Sequence, residues 1–201
     1  MCGRYWLSDN PETLCRRYNA VMADLDGYNP SGEVFPSEIV PVVVGNQNRM
    51  NRLRTMRWGF PGFENRGIII NARAETVDTK YMFRKQLVVR RCIVPVNGFF
   101  EWKKEGREKI KYRINIRGHD LFSLAGIYDI FTDKRGDEYA AFVIITTSPL
   151  PIIRSIHDRM PVILPPEKEA GWLDSSLKNV HLLKGYLQPD EIAGLTVEKS
   201  P

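Results

Sequence analysis

The chain has 201 residues, 43% of them hydrophobic and 26% charged, with a formal net charge of +5. That balance excludes disordered and fibrous classes and suits a globular protein organised as a single domain over residues 1–201. No apolar run approaches the ~20 residues of a membrane span, and residues 1–8 lack the apolar segment of a signal peptide, so a cytoplasmic location is expected, nucleoid-associated if the source is bacterial.

Asp9 or Asn10 caps a first helix with Pro11 in its opening turn, and Leu14, Tyr18 and Val21 recur at helical spacing. Residues 27–38, rich in Gly, Pro and Ser, form a loop. The β-branched run 39–44 is a strand, closed by the turn Gly45-Asn46-Gln47-Asn48, and 50–58 returns as another. After a loop over 59–67, residues 68–71 read as a short buried strand and 78–88 as a short helix. Residues 92–103 and 109–117 form a hairpin around Lys104-Glu105-Gly106-Arg107, and Ile110, Tyr112, Ile114 and Ile116 alternate so that one face is buried. Strands at 121–128 and 139–147, a helical turn near 150–156, a strand at 160–164 and helices within 166–194 complete the chain. Many strands with peripheral helices imply an α+β fold with a mostly antiparallel, barrel-like sheet core.

Three cysteines, Cys2, Cys15 and Cys92, fit neither a disulfide framework nor a zinc site. Cys15, in a helix, and Cys92, in an apolar strand, read as buried and inert. No metal site and no organic cofactor is implied. Basic residues cluster at Arg49, Arg52, Arg54 and Arg57, at Arg84, Lys85, Arg90 and Arg91, and at Lys103, Lys104, Arg107, Lys109 and Lys111. Beside aromatics, such clusters suit a groove that tracks a nucleic-acid backbone; solvated strand and turn faces are the plainer reading.

Four segments carry candidate chemistry. Removal of Met1 would give Cys2 a free α-amine beside its thiol, both nucleophilic near neutral pH. A 1,2-aminothiol condenses with an aldehyde to an imine and then closes a thiazolidine ring; an abasic site in its open form is such an aldehyde. Asn71 and Arg73 lie two apart on an extended segment and point the same way, toward a polar oxygen and a phosphate; strand-end capping with an ion pair to Glu75 is the alternative. Glu101, between aromatics in Gly98-Phe99-Phe100-Glu101-Trp102, is a candidate general acid or an outer-face glutamate. His157, flanked by Asp158 and Arg159, is a proton shuttle or a structural histidine. His119 and His181 carry no comparable context.

Taken in order, Met1-Cys2-Gly3-Arg4-Tyr5, Trp58-Gly59-Phe60, Ile70-Asn71-Ala72-Arg73-Ala74-Glu75-Thr76, Gly98-Phe99-Phe100-Glu101-Trp102 and Ile156-His157-Asp158-Arg159-Met160-Pro161 closely resemble the SOS response-associated peptidase (SRAP) family. The resemblance implies a covalent thiazolidine link between Cys2 and the aldehyde of an abasic site in single-stranded DNA. It implies that Asn71 positions the Cys2 amine and the sugar. Glu101 would act as general acid, and His157 would assist Schiff-base chemistry. Arg4, Arg73 and Arg159 would hold phosphates, and Trp58 and Phe63 would line the DNA channel. The family's peptidase label rests on removal of residues ahead of the cysteine, here Met1 alone. No membrane and no obligate protein partner is implied.

The sequence departs from the family pattern at Gly32-Glu33-Val34-Phe35-Pro36-Ser37, at Phe63, at Thr146-Thr147-Ser148-Pro149-Leu150, and at the carboxyl end from Thr196, which matches the usual closing strand poorly. Two rival readings are an N-terminal-nucleophile glutamine amidotransferase, with Asn97-Gly98 as oxyanion group, and a non-enzymatic single-stranded DNA-binding module.

Overall fold

The computed structural model describes residues 2–25, 28, 32–45, 50–63 and 67–200. Met1, Arg49 and most of the turn expected at 45–48 lie outside the described residues. Five strands close a barrel: β4 (Ile39–Val44), β5 (Asn51–Trp58), β9 (Arg91–Val96), β12 (Phe122–Thr132) and β13 (Glu138–Thr147). The order β13-β12-β9-β4-β5 is antiparallel, and a parallel β5–β13 contact joins the ends. Closure removes the open edges that such apolar strands would otherwise present. β9 is buried along its whole length, as its Val- and Ile-rich sequence requires.

A second sheet runs in the order β16-β11-β10-β1-β3, from β1 (Tyr5–Leu7), β3 (Gly32–Val34), β10 (Gly98–Glu105), β11 (Glu108–Ile116) and β16 (Leu195–Lys199). The region expected as one strand over 92–103 therefore divides between the barrel and this sheet. Asn97 makes the crossing: its backbone N–H donates to Trp6 O, and its side chain bonds Asp9, Asp120 and the Ser8 backbone N–H. Remaining elements are β2 (Ala20–Asp24), β6 (Phe60–Pro61), β7 (Ile68–Ile69), β8 (Asn71–Arg73), β14 (Met160–Pro161) and β15 (Ile163–Leu164), with α1 (Pro11–Tyr18), α2 (Tyr81–Val89), α3 (Pro151–Arg154), α4 (Pro166–Leu173) and α5 (Val180–Gly185). The fold is α+β with a mostly antiparallel, barrel-like core and peripheral helices.

Local differences from expectation have local causes. Asn19 adopts the left-handed conformation (φ 45°, ψ 52°) and donates its N–H to Cys15 O, ending α1 early, so Val21 falls in a strand. Within the expected loop, Gly32 takes φ +92°, and a Cβ there would lie 2.8 Å from the Trp6 indole. Glycine thus lets β3 pair with β1 beneath that ring. The short strand expected over 68–71 is two elements, and Ile68 is exposed rather than buried. The carboxyl end does close the second sheet, as β16 on β11.

Helix ends are stapled to the barrel by one buried cation. Arg91, 6% exposed, donates to Trp172 O (2.6 Å), Leu87 O (2.9 Å), Val88 O (2.8 Å), Asp174 O (2.5 Å) and Leu177 O (3.2 Å). These carbonyls belong to the last turns of α2 and α4 and the segment after α4, where the helix dipole favours positive charge. Arg91→Leu leaves all five without this donor and is expected to cost about 3 kcal/mol or more, read as a lower urea midpoint. Arg91→Lys, lacking the planar fork, should recover only part of it; a wild-type midpoint for Arg91→Leu would show the staple to be idle.

Candidate active site

The site forms where the second sheet meets the barrel, at the amino-terminal end of β1. The chain enters through Cys2, which is fully buried. Its Sγ lies 3.8 Å from Arg4 O, a carbonyl that also accepts the Phe100 N–H. β8 brings Asn71 alongside, and the Asn71 Nδ2 donates to Cys2 O at 2.9 Å. The Asn71 Oδ1 is buried with no hydrogen-bond donor.

β8 is held in place from both sides. It lies parallel to β13 with Asn71 against Ile144, and the Trp58 Nε1 donates to Ile70 O at 3.1 Å. Trp58 is fully buried, at 5.0 Å from the Tyr5 ring and stacked on Phe142 at 6.4 Å. Trp58 therefore offers no open ring face to a ligand; it supports the strand that carries Asn71. Phe63 is the opposite case, at 82% exposure.

Glu101 reaches the same place from β10. Both faces of this stretch are enclosed: Phe99, Phe100 and Glu101 are all buried. Burial pushes the Glu101 carboxyl up to about 7, and the Asp158 carboxylate adds to the effect. Burial likewise pushes the Cys2 thiol far above its ordinary range, reinforced by the Glu101 charge. Two acidic groups thus favour their neutral forms side by side.

His157 follows α3, its N–H capped by Ile153 O, and its Nε2 lies 3.8 Å from Glu101 Oε2. Its Nδ1 accepts the Arg159 backbone N–H at 3.0 Å, so the neutral ring carries its proton on Nε2, facing Glu101. Asp158 Oδ1 lies 2.9 Å from the same Nδ1 and is the partner available once the ring is protonated. Burial lowers the His157 pKa, which favours the neutral ring.

Among the proposed phosphate ligands, Arg159 is bidentate to Glu75 (2.7 and 2.9 Å) and donates to Thr146 O at 2.7 Å. The alternative reading of the sequence paired Glu75 with its neighbour Arg73, which is exposed on β8. The true partner comes from 84 residues away, a separation that local spacing cannot reveal. Arg4 has its guanidinium 4.0 Å from the Phe35 ring and 5.2 Å from that of Trp102, with Glu33 at 3.2 Å. Reading by motif passed over Glu33 and Lys111 as neighbours of Arg4; Lys111 lies 2.9 Å from Glu33. Cys15 and Cys92 are free thiols away from this cluster, Cys92 buried in β9. Among the described residues there is no cluster of metal-ligating side chains, and no helix is long and apolar enough to cross a membrane.

The family model for SOS response associated peptidase matches residues 1–200. This chain belongs to the SRAP family. It is 38% identical over 196 residues to "Abasic site processing protein YoqW" of Bacillus subtilis, covering 94% of this chain and 87% of that protein. It is 33% identical over 183 residues to "Abasic site processing protein YedK" of Escherichia coli, covering 86% and 79%. A solved protein of Bacteroides thetaiotaomicron superposes with a TM-score of 0.89 at 28% identity, covering 98% of this chain and 91% of that one. The SRAP chain thus gathers Cys2, Asn71, Glu101 and His157 from four separate segments, and it commits Asn97, the oxyanion residue of the amidotransferase reading, to binding Asp9 and Asp120.

Burial of Glu101 has a measurable consequence for stability. The folded state favours its protonated form, so its contribution is full below the ordinary carboxylate pKa and is lost as pH rises toward about 7. Glu101→Gln removes that loss. In thermal melts the variant should gain on the wild type between about pH 4 and pH 8. A constant difference across that range would mean that the carboxyl is not perturbed by burial.

Proposed function

We propose that this chain processes abasic sites in single-stranded DNA by forming a thiazolidine link through Cys2. The observation that carries the reading is the convergence of the buried Cys2 thiol, the Asn71 amide that holds the Cys2 carbonyl, the buried Glu101 carboxyl and, 3.8 Å from that carboxyl, the half-buried His157 ring. The relatives' names, abasic site processing proteins, support its abasic-site target.

The steps balance without a cofactor. Loss of Met1 would free the Cys2 α-amine, and the Asn71 Oδ1, buried without a donor, would accept a hydrogen bond from it. The amine nitrogen adds to C1′ of the ring-opened sugar, giving a carbinolamine. Glu101 donates its proton to the departing hydroxyl, which leaves as water, and an iminium forms. The Cys2 sulfur then adds to C1′ while its proton passes to the Glu101 carboxylate, restoring the acid. The product holds C1′ between nitrogen and sulfur, and one water has been released. His157, with its Nε2–H toward Glu101, supports proton movement at the sugar oxygens.

Neutral thiol and neutral acid suit this order of events. A thiolate is needed only when the electrophilic iminium is in place, and the carboxylate that takes its proton has then just been created. Single strands are the expected substrate because a sugar within a stacked duplex is hard to reach.

Protein shown by mass spectrometry to lack Met1 should give a shifted band with abasic single-stranded DNA on a denaturing gel, and Cys2→Ala should give none. Glu101→Gln should slow formation by about 10²-fold or more. It should also abolish the fall in rate that the wild type shows as pH rises through about 7, where Glu101 loses the proton it must donate. No band from protein with a free Cys2 amine would overturn the proposal.

A further inference from the structure

Strand pairing divides the second sheet into two faces. Residues opposite one another share a face, and neighbours along a strand alternate. Tyr5 with Phe99, Glu101 with Tyr112 and Phe99 with Ile114 place Glu101 on the inward face. Phe100 with Arg113, Trp102 with Lys111 and Lys104 with Lys109 therefore lie on the outward one. Trp6, Glu33 and the guanidinium of Arg4 join them, the last by its contact with Trp102.

This outward face is a layer of aromatics under cations. The Arg113 guanidinium lies 5.2 Å over Trp6, Arg4 lies between Phe35 and Trp102, and the Lys111 ammonium lies 4.2 Å over Phe100. Phe35 is 40% exposed, and Trp6 and Trp102 are half-buried. Arg4, Lys104, Lys109, Lys111 and Arg113 are answered on this face by Glu33 and, opposite Arg113, Glu198. The excess is three positive charges, against +5 for the whole chain. Lys104 sits directly opposite Lys109, a pairing that weakens a sheet. A polyanion laid along the hairpin would relieve that repulsion.

We propose that the outward face of the β16-β11-β10-β1-β3 sheet is a second track for single-stranded DNA, binding undamaged nucleotides of the strand whose abasic site enters the inward-facing site. Phe35, with the half-buried Trp6 and Trp102, supplies ring surface for stacking that does not depend on sequence, and the cations follow phosphates. Arg4 joins the two faces, since its backbone carbonyl borders the Cys2 sulfur while its side chain lies in the outward layer. Glu33 is an internal competitor for the phosphates, because it holds both Arg4 and Lys111. The inference rests on the proposed function for its substrate class, and its test does not need the crosslink.

The test is anisotropy of an undamaged single strand of about 20 nucleotides, which offers no aldehyde, across a salt series. The combined Lys104→Gln, Lys109→Gln and Arg113→Gln variant should bind about tenfold or more weakly and lose about 2 from the salt slope. Glu198→Gln and Glu33→Gln should each bind more tightly, a gain that misfolding cannot mimic. Crosslinking of a short abasic oligonucleotide of about five nucleotides should be unchanged in the triple variant. Unaltered affinity and slope in the triple variant would overturn the track. So would equal loss on the short oligonucleotide, or a triple-variant loss confined to vesicles of anionic phospholipid. A wild type that binds the undamaged strand as described yet never crosslinks would instead overturn the proposed function alone.

Discussion

A carboxyl and a thiol buried together set the terms for the rest of the site. Water around Glu101 would hold its carboxyl in the ordinary range, ionised at neutral pH, and it could then neither donate a proton nor tolerate a thiolate beside it. With Glu101 only 1% exposed and Cys2 wholly buried, both groups are pushed toward their neutral forms. Such an environment costs stability, and the fold must offset it elsewhere. A closed barrel with β9 buried end to end, together with a guanidinium bonding five backbone carbonyls of α2, α4 and the segment after α4, is the sort of reserve that can.

The barrel also fixes the geometry. Asn71 reaches the Cys2 carbonyl only because β8 runs parallel to β13, and that short strand is held by Trp58 from below. His157 presents Nε2–H to Glu101 only because the Arg159 amide occupies Nδ1. The Arg159 side chain, bidentate to Glu75 beside β8 and bonded to Thr146 O, anchors that amide. Tautomer, amide orientation and strand register are thus consequences of packing some distance from the reacting atoms.

Much of this architecture was legible in the residues. The β-branched run 39–44 and the capped start of α1 appear as expected, while the alternation from Ile110 to Ile116 is buried only at Ile114 and Ile116. Each of the four candidate residues, taken alone, had a plainer structural alternative; the order of the motifs along the chain, resembling the SRAP family, singled them out. Partners that come from far along the chain were not legible. Glu75 binds Arg159 rather than Arg73, and Glu33 bridges Arg4 and Lys111. Nor could the alternation around Glu101 reveal its face, since Phe99 and Phe100 are both buried. A strand enclosed on both sides loses the period-two signal. Trp58 misled for a related reason: an aromatic beside basic residues fits a ligand channel and a core equally well until its burial is known.

Two of the three arginines read as phosphate ligands, Arg4 and Arg159, are already answered within the protein. Arg159 is neutralised by Glu75, and Arg4 and Lys111 share Glu33, whose carboxyl those two cations hold below its ordinary range. A phosphate arriving there must displace a carboxylate, so it gains less than a fresh cation would give it. On the proposed function and the proposed track, uncompensated charge on the outward hairpin and a covalent bond at the buried thiol would separate two tasks. Capture of the strand then depends on salt-sensitive contacts that any sequence can make, while retention depends on a bond that only an aldehyde can form. An undamaged strand meets the first requirement and fails the second, so it can leave. Discrimination between intact and abasic DNA then needs no base-reading contact at all.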